Sequence, residues 1–369
     1  GQSENHLPVL RHTAGTYQRF MPMLIYGAYG YSGTLIVEEA LEQGLRPTLA
    51  GRDPDKLKTL AERYGLPSLT LALDNPAAID EATKDQRLVL NCAGPFINTW
   101  RPMAEACLRQ HVHYLDITGE IQVFEALAAL TDAAVKAGVM LLPGVGFDVV
   151  PTDCLAAHLK DRMPDATHLS LAFRSGGGFS RGTRMTMLEG LGHGGAVRRD
   201  GHIVPVPAAW KIRQLDFGEG KTRAAVTIPW GDVVTAWHST GIPNIETYAA
   251  LPAKQIRALR LSRYLGWLLR SSWLRARLQR GIDAGVAGPD SVTRRNTESL
   301  VWGEVRNTEG RVLQSRLRCG NSYSFTARSA VAAARRVLSG DIRPGFQTPS
   351  RAFGIGFVLA LGARITDVP

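Results

Sequence analysis

A glycine-rich turn near the start of the chain constrains the possible fold more than any other segment. Residues 23–26 are apolar, and Gly27, Gly30 and Gly33 follow at G-x-x-G-x-x-G spacing before a run with apolar residues at helical intervals. A strand that enters such a turn and leaves it as a helix is the context in which glycines bind a dinucleotide. Gly27 permits a sharp turn, Gly30 lets the backbone approach a pyrophosphate, and Gly33 lets helix and strand pack closely. The segment therefore predicts a strand-turn-helix unit that binds a nucleotide.

The side chains within this turn are predicted to lie along the cofactor. They are Tyr29, Tyr31 and Ser32. The amino end of the following helix carries unpaired N–H groups and a partial positive charge, which favour a phosphate. For the two tyrosines, packing within the turn is an alternative interpretation.

The second predicted strand ends in Arg52, and this residue bears on the choice of cofactor. About 20 residues after the glycines, a carboxylate normally binds the ribose 2′-hydroxyl of NAD. A guanidinium cannot accept hydroxyl protons, but it can bind a 2′-phosphate with two hydrogen bonds. Lys56 adds a second positive charge one turn into the next helix, for which Asp53 is the predicted N-cap. The sequence therefore predicts NADP(H), the alternative being that Arg52 and Lys56 are solvated.

Short strands and helices alternate through residues 21–150, which predicts a Rossmann-type, doubly wound parallel sheet of α/β class. Further strands are predicted at 68–73, 87–91, 113–120 and 139–142. Open α/β sheets bind ligands at the carboxyl ends of their strands. We therefore expect the residues that follow the fourth and fifth strands to lie along the cofactor, namely Cys92, Ala93, Gly94, Pro95 and Thr118.

A second domain is predicted over residues 151–340, where the hydrophobic pattern changes. Residues 168–173 alternate with period two, and turn signals occur at 198–202 and 307–310. These features predict an α+β domain on a mostly antiparallel sheet, for substrate binding and dimerisation. Residues 341–369 are expected to form a helix that packs back on the nucleotide domain. Residues 1–20 are expected to be a disordered or non-native leader.

Two aspartates are candidate catalytic residues. A hydride transfer needs an accompanying proton, so an acid or an ordered water is required near the nicotinamide. Asp116 lies at the end of the fifth strand and Asp148 follows the sixth, both at the ligand-binding edge. The alternative for Asp148 is a helix N-cap, and Asp116 is similarly ambiguous. His111 and His113 lack a third ligand, so no metal site is predicted.

An arginine-rich loop in the second domain is the candidate substrate site. Arg174, Arg181 and Arg184 flank three consecutive glycines, and guanidinium groups bind carboxylates or phosphates. A surface loop with solvated arginines is the alternative. His193 lies between glycines and is a candidate proton donor or an ordinary loop histidine.

The positive charge of the chain is concentrated in one segment. The formal net charge is +10, and eight basic residues but no acidic ones occur between Lys254 and Arg280. This segment lies within a predicted basic helical insertion, residues 253–283. It is interpreted as a lid or a dimer contact, or as a surface that binds an anionic membrane or an acidic carrier protein. The lid or protein contact is the preferred interpretation. No nucleic-acid-binding module is present, so no nucleic-acid partner is predicted.

The cysteines and the amino-terminal residues indicate the compartment. The four cysteines are widely spaced and form no C-x-x-C pair, and residues 1–20 contain no apolar segment typical of a secretory signal. Reduced thiols in the cytoplasm are therefore expected. A homo-oligomer is also expected.

Several motifs together resemble the saccharopine dehydrogenase-like oxidoreductases. They occupy residues 27–33, 50–57, 91–96, 113–120 and 143–148. Residues 345–349 resemble the bacterial branch that includes trans-acting enoyl reductases. The resemblance implies a Rossmann domain with an inserted mixed α/β domain and NAD(P)-dependent reduction. The implied substrate is a small molecule or a carrier-bound group, with either an enoyl C=C bond or an imine C=N bond on an amino acid. A protein that binds NADP without turnover, at a membrane or carrier protein, is a further hypothesis.

Overall fold

The computed structural model describes residues 22–178, 180–190, 194–264, 271–285 and 287–368. The predicted leader at 1–20 and the candidate proton donor His193 lie outside the described residues.

Seven parallel strands form the first sheet, in the order β3-β2-β1-β4-β5-β6-β15. The first six follow the strand order of doubly wound dinucleotide-binding folds, which confirms the predicted fold class. The strands, numbered in chain order, are β1 (Met23–Tyr26), β2 (Thr48–Gly51), β3 (Ser68–Thr70), β4 (Leu88–Asn91), β5 (His113–Asp116), β6 (Met140–Leu142) and β15 (Gly345–Phe346).

The helices between these strands begin and end where local sequence signals place them. Asp53 and Asn75 accept hydrogen bonds from the first turns of α2 and α3, and a proline follows each. Gly138 ends α6 in the left-handed conformation. The helical segment before Gly138 is divided into two helices, α5 and α6, at Leu130. The helices are α1 (Tyr31–Glu42), α2 (Pro54–Tyr64), α3 (Pro76–Thr83), α4 (Trp100–Gln110), α5 (Ile121–Ala129) and α6 (Thr131–Ala137), with a 3-10 turn at Phe96–Asn98.

The second sheet is mostly antiparallel, as predicted. Its order is β10-β11-β12-β7-β13-β14-β16, only β12 and β7 pair in parallel within it, and a β8–β9 hairpin lies beside β12. Asp200 and Gly201 turn that hairpin with positive φ, which confirms the turn predicted at 198–202. The strands are β7 (His168–Arg174), β8 (Gly195–Arg199), β9 (His202–Val206), β10 (Ile212–Asp216), β11 (Thr222–Thr227), β12 (Asn244–Ala250), β13 (Glu298–Arg306), β14 (Val312–Gly320) and β16 (Arg364–Val368).

Helices cover one face of the second sheet and bring it against the first domain. Gly303 of β13 lets α7 approach closely, because an added Cβ would lie 2.6 Å from Leu159. None of the described helices is both long and apolar enough to cross a lipid bilayer. The helices are α7 (Val150–Arg162), α8 (Arg181–Gly190), α9 (Asp232–Thr240), α10 (Ala253–Ser262), α11 (Ser272–Asp283) and α12 (Ser291–Asn296).

The last part of the chain contributes to both sheets. Helix α13 (Ser322–Leu338) packs against α1, although the sequence placed it in the second domain. The closing helix expected within 341–369 is instead two short ones, α14 (Pro349–Phe353) and α15 (Gly356–Ala360), because Gly354 adopts φ +75° between them. Strand β16 then pairs with β14 of the second sheet, which the sequence pattern did not predict.

We expect Gly33→Ala to destabilise the protein. An added Cβ would lie 2.3 Å from the carbonyl oxygen of Gly27 and 2.9 Å from that of Ala28, and backbone atoms cannot move away cheaply. The expected loss in the free energy of unfolding is roughly 1–3 kcal/mol, the usual cost of overpacking. Thermal or urea unfolding measures it. Gly356→Ala is the control, since nothing lies within 4 Å of its added Cβ. Equal stability of the two variants would contradict this packing.

Candidate active site

The glycine turn leaves unpaired backbone donors at the start of α1. Gly30 is the N-cap and offers no side chain, and the N–H groups of Tyr31, Ser32 and Gly33 have no acceptor among the described residues. Gly27 adopts φ +77°, and a Cβ there would lie 2.8 Å from the backbone nitrogen of Ala93. Because free N–H groups at a helix start favour an anion, this cradle fits the pyrophosphate of a dinucleotide.

Arg52 is the available cation beside this turn. It is exposed and makes no ion pair within the described chain. The ring of Tyr29 lies against Gly51, and the Tyr29 hydroxyl accepts a hydrogen bond from the backbone of Asp53 at 3.2 Å. Lys56 instead pairs with Asp53 at 3.0 Å, so part of its charge is neutralised. Of the two predicted cations, Arg52 therefore keeps its donors free for a 2′-phosphate.

The loop after β4 is fixed by Asn91, a buried residue outside the predicted site. The Asn91 Oδ1 accepts from the backbone of Ala93 at 3.0 Å, and its Nδ2 donates to the Thr99 hydroxyl at 3.0 Å. Thr99 in turn donates to the Ala93 carbonyl at 2.7 Å. The loop, which contains a cis Gly94–Pro95 bond, is thereby held beside the glycine turn. Cys92 is half-buried, and burial raises the pKa of its thiol.

Asp116 is a buried carboxyl that joins two loops. Its Oδ1 accepts from the backbone nitrogens of Thr118 at 3.0 Å and Gly144 at 2.9 Å, and its Oδ2 accepts from the Tyr114 hydroxyl at 2.9 Å. Burial raises the pKa of Asp116 to about 7, although the hydrogen bonds oppose this shift. Thr118 is also fully buried, and its hydroxyl accepts from the backbone of Glu120. Both side chains hold the sheet edge together and are not exposed to a ligand.

Asp148 lies on the loop after β6, beside the loop after β5. It is partly exposed, and no side chain caps α7, so the N-cap interpretation was wrong. A Cβ added to Gly119 would lie 3.1 Å from the Asp148 Oδ2, which places this carboxyl on the loop after β5. Burial, and then the nearby Glu120, raise the pKa of Asp148 to about 7. A carboxyl that is partly protonated at neutral pH can deliver a proton.

Glu120 and an aromatic group complete the surroundings of Asp148. The Glu120 carboxylate accepts from the backbone nitrogens of Phe96 at 2.8 Å and Ile97 at 2.9 Å, which ties the β5 loop to the β4 loop. The Trp230 indole donates to the Asp148 carbonyl at 2.8 Å, and its ring lies 5.1 Å from that of Phe173. Both aromatic residues belong to the second domain, so Asp148 lies where the two domains meet. Glu120 follows Thr118 at the ligand-binding edge but was not among the predicted site residues, and no local pattern pointed to Trp230.

Tyr31 connects the glycine turn to the second domain. Its hydroxyl donates to the carbonyl of Pro289, and Arg294 donates to the Tyr31 hydroxyl at 3.0 Å. An added Cβ at Gly288 would lie 2.7 Å from the Tyr31 ring, which also packs edge-on against Tyr323 at 5.1 Å. Tyr31 therefore holds the segment 287–296 over the start of α1, a role that its position in the turn did not predict.

Tyr323 extends this contact to the predicted substrate loop. Its hydroxyl accepts from the backbone nitrogen of Ser180 at 2.5 Å and shares a hydrogen bond with the Thr183 hydroxyl at 3.0 Å. The Ser180 side chain accepts from the backbone of Thr183 at 3.2 Å and so caps α8. The glycine turn and the start of the predicted substrate loop are thus joined by Tyr31 and Tyr323.

Two of the three predicted substrate arginines, Arg181 and Arg184, lie beside Gly285, whereas Arg174 pairs elsewhere. Arg174 pairs with Glu219 at 2.8 Å, and the Arg181 guanidinium donates to the Gly285 carbonyl at 3.1 Å. Arg184 is half-buried beside Gly285, and a Cβ added to Gly285 would lie 3.0 Å from the Nη1 atom of Arg184. Arg174 and Arg181 are therefore held by protein groups rather than directed together at one carboxylate.

A second group of buried carboxyls lies beneath the site. Asp153 accepts from the backbone of Ser350 at 2.7 Å and from the Ser239 hydroxyl, which joins α7, α9 and α14. Asp232 accepts from the Thr152 hydroxyl at 2.6 Å, and burial raises its pKa well above the usual value. Neither aspartate was among the predicted site residues. Across the described ranges, no group of three or more His, Cys, Asp or Glu residues could hold a metal ion.

Comparisons with known proteins place the strongest similarity in the nucleotide-binding half. The family model described as saccharopine dehydrogenase NADP binding domain matches residues 23–142. A saccharopine dehydrogenase-like oxidoreductase of Mus musculus is 33% identical over 168 residues, which cover 40% of this chain and 39% of that protein. A trans-acting enoyl reductase of Mycobacterium ulcerans is 28% identical over 39% of this chain and 37% of that protein. The matched segments thus span less than half of either relative.

A solved structure extends the likeness in fold to both domains. Saccharopine dehydrogenase (L-Glu forming) of Saccharomyces cerevisiae has a TM-score of 0.62 and covers 95% of this chain and 100% of that chain. The two sequences are 13% identical, so this comparison concerns the fold.

We expect Asp116→Ala to destabilise the protein far more than Asp116→Asn. Alanine leaves the N–H groups of Thr118 and Gly144 and the Tyr114 hydroxyl without their buried acceptor. Each such loss costs about 1–3 kcal/mol in the free energy of unfolding. Asparagine keeps one oxygen for both N–H groups, and its amide can donate to the tyrosine hydroxyl. Denaturant unfolding compares the two, and similar losses would show that Asp116 does not organise these loops.

Proposed function

We propose that this chain, whose residues 23–142 match the saccharopine dehydrogenase NADP binding domain, is an NADPH-dependent reductase. Its proposed substrate has a C=C bond conjugated to a carbonyl, as in an enoyl thioester. The observation that carries the proposal is the position of Asp148. This partly exposed carboxyl, whose pKa is raised to about 7, lies at the same sheet edge as the free N–H groups of the glycine turn. Ligands bind at that edge in doubly wound sheets.

The described residues fit the two phosphate groups of the cofactor. The free N–H groups at the start of α1 would hold the pyrophosphate, and Arg52 would bind the 2′-phosphate. When bound, NADPH supplies the hydride. The protein then has to position the substrate beside the nicotinamide and to provide one proton.

Asp148 would provide that proton. In an enoyl thioester the hydride adds to the β-carbon, and the electron pair of the double bond takes a proton at the α-carbon. The protonated Asp148 carboxyl donates that proton directly or through a water molecule and becomes a carboxylate. A proton from solvent then restores the acid. Trp230 and Phe173 form an apolar wall beside Asp148, which suits a hydrophobic acyl chain.

A saccharopine-type imine reductase is the second candidate, with an amino acid as its substrate. It needs cations that converge on the carboxylates of that substrate. Arg174 pairs with Glu219, which also pairs with Arg223, and the Arg181 guanidinium donates to the Gly285 carbonyl, so these two arginines are not directed together at one carboxylate. Because these arginines already contact protein groups, an enoyl substrate is favoured over an amino-acid imine. Enoyl reduction is also the reaction in the name of the Mycobacterium ulcerans relative.

The deciding experiment is NADPH oxidation against a panel of enoyl thioesters, imines and ketones. Turnover of an enoyl thioester with uptake of one hydride supports the proposal. Turnover of an amino-acid imine alone would transfer the assignment to the second candidate. NADPH binding without turnover of any panel member would favour the third hypothesis, a protein that binds NADP without catalysis.

We expect Arg52→Gln to weaken NADPH binding and to leave NADH binding nearly unchanged. A charge-assisted hydrogen bond contributes about 1.5–3 kcal/mol, so the loss for NADPH should be roughly tenfold to hundredfold. Calorimetric titration of both coenzymes measures the two affinities. Arg63→Gln, at the opposite end of α2, is the matched control for the loss of one exposed charge. Equal weakening of both coenzymes would contradict the 2′-phosphate role.

We expect the rate of reduction to fall as pH rises through about 7, the pKa of Asp148. Only the protonated acid donates, so the rate should drop roughly tenfold per pH unit above that value. Asp148→Asn should have a low rate without this pH dependence.

The stability of the folded protein provides an independent check. An unfolded aspartate has a pKa of about 3.9, so the native state binds more protons between about pH 4 and 7. The free energy of unfolding should therefore fall across that range as pH rises. Asp148→Asn should lose part of this slope, and an unchanged slope would contradict the raised pKa.

A further inference from the structure

We propose that the surface formed by α10 and α11, with Tyr264, binds an anionic lipid bilayer. This region, which we call the basic surface, exposes large apolar side chains among cations. Leu261 is 59% exposed, Tyr264 is 78% exposed and Trp273 is 67% exposed. Tyr264 and Trp273 are the most exposed large apolar side chains of the described residues. A group of exposed apolar side chains rimmed by polar residues marks a site of protein or membrane interaction.

Each of the two helices directs a large apolar residue outward beside two cations, and the second helix also exposes Leu278 at 37%. In α10, Lys254, Arg257 and Leu261 follow at i, i+3 and i+7, and all three are exposed. The opposite face holds the helix on the protein, since Ile256 is buried against Ala209 and Val226. Residues at these intervals share one face of a helix. The outward face of α10 is therefore free while its inward face is packed.

The second helix repeats the arrangement. In α11, Trp273, Arg277 and Arg280 follow at i, i+4 and i+7, and all are exposed. No residue of α11 is buried, and the helix packs on α8. Arg263, after α10, donates to the backbone carbonyls of Ala208 and Ala209, which anchors the preceding helix to the second sheet.

The charges of the basic surface indicate an anionic partner. Lys254, Arg257 and Arg260 on α10 and Arg277 and Arg280 on α11 have no carboxylate partner among the described residues. Each cation near an anionic membrane contributes about 1 kcal/mol. Tyrosine and tryptophan prefer the boundary between lipid headgroups and acyl chains, and long basic side chains extend to the phosphates beside them.

A lipid surface explains these features better than an acidic carrier protein. A stable protein interface needs a complementary patch of about 1,000 Å² or more. The described helices instead present single apolar tips, each between cations, with no continuous apolar stripe. A fluid bilayer accepts such tips without shape complementarity. We therefore infer shallow, charge-dependent binding rather than deep insertion, and the site proposed for NADPH does not depend on it.

Vesicle flotation tests the proposal with the full chain. The wild type should float with phosphatidylcholine vesicles that contain phosphatidylglycerol, should not float with pure phosphatidylcholine, and should dissociate as salt rises. Arg277→Gln/Arg280→Gln should lower partitioning roughly tenfold to thirtyfold, as expected for two lost charges. Trp273→Ser should also lower partitioning onto the vesicles, although it does not change the net charge.

Matched variants elsewhere separate this effect from general charge. Arg311→Gln/Arg364→Gln removes two exposed charges outside the basic surface, and Leu359→Ser removes an apolar residue that is 47% exposed. Both should float like the wild type, and all variants should bind NADPH equally. Absence of wild-type flotation, an equal loss in the control variants, or retention only by an acidic carrier protein would each overturn the proposal.

Discussion

Backbone contact at the glycine turn is the constraint on which the nucleotide half depends. Gly33 lies so close to the carbonyl of Gly27 that no side chain fits between them, and a Cβ added to Gly27 would lie 2.8 Å from Ala93. These contacts bring the ends of β1 and β4 together and leave the first N–H groups of α1 unpaired. The packing that stabilises the sheet thus also produces the phosphate site, because both require backbone without side chains.

Carboxyl groups hold the loops together at the same edge of the sheet. Asp116 uses three hydrogen bonds to hold the loops after β5 and β6, and Glu120 uses two to hold the loop after β4. Asp148 has no comparable set of donors, and burial with a nearby carboxylate raises its pKa. Burial raises the pKa of both aspartates to about 7, so their roles differ by contact: three hydrogen bonds hold Asp116 in place, whereas Asp148 is partly exposed.

The sequence predicted the parts of this fold that depend on local signals. Glycine spacing and hydrophobic alternation identified the parallel sheet, and the cap before Pro54 placed α2 correctly. Contacts between distant segments could not be predicted in this way. The pairing of Arg174 with Glu219, the position of α13 on α1 and the addition of β16 to β14 all depend on tertiary packing that leaves no local pattern.

The same limitation applies to Tyr31, whose contacts join the glycine turn to the second domain. A tyrosine in the glycine turn is expected to line the cofactor groove, yet its hydroxyl bonds Pro289 and Arg294, and its ring packs on Tyr323. Tyr323 also holds Ser180 at the start of α8. The glycine turn and the start of the predicted substrate loop therefore pack on the same pair of aromatic rings, Tyr31 and Tyr323.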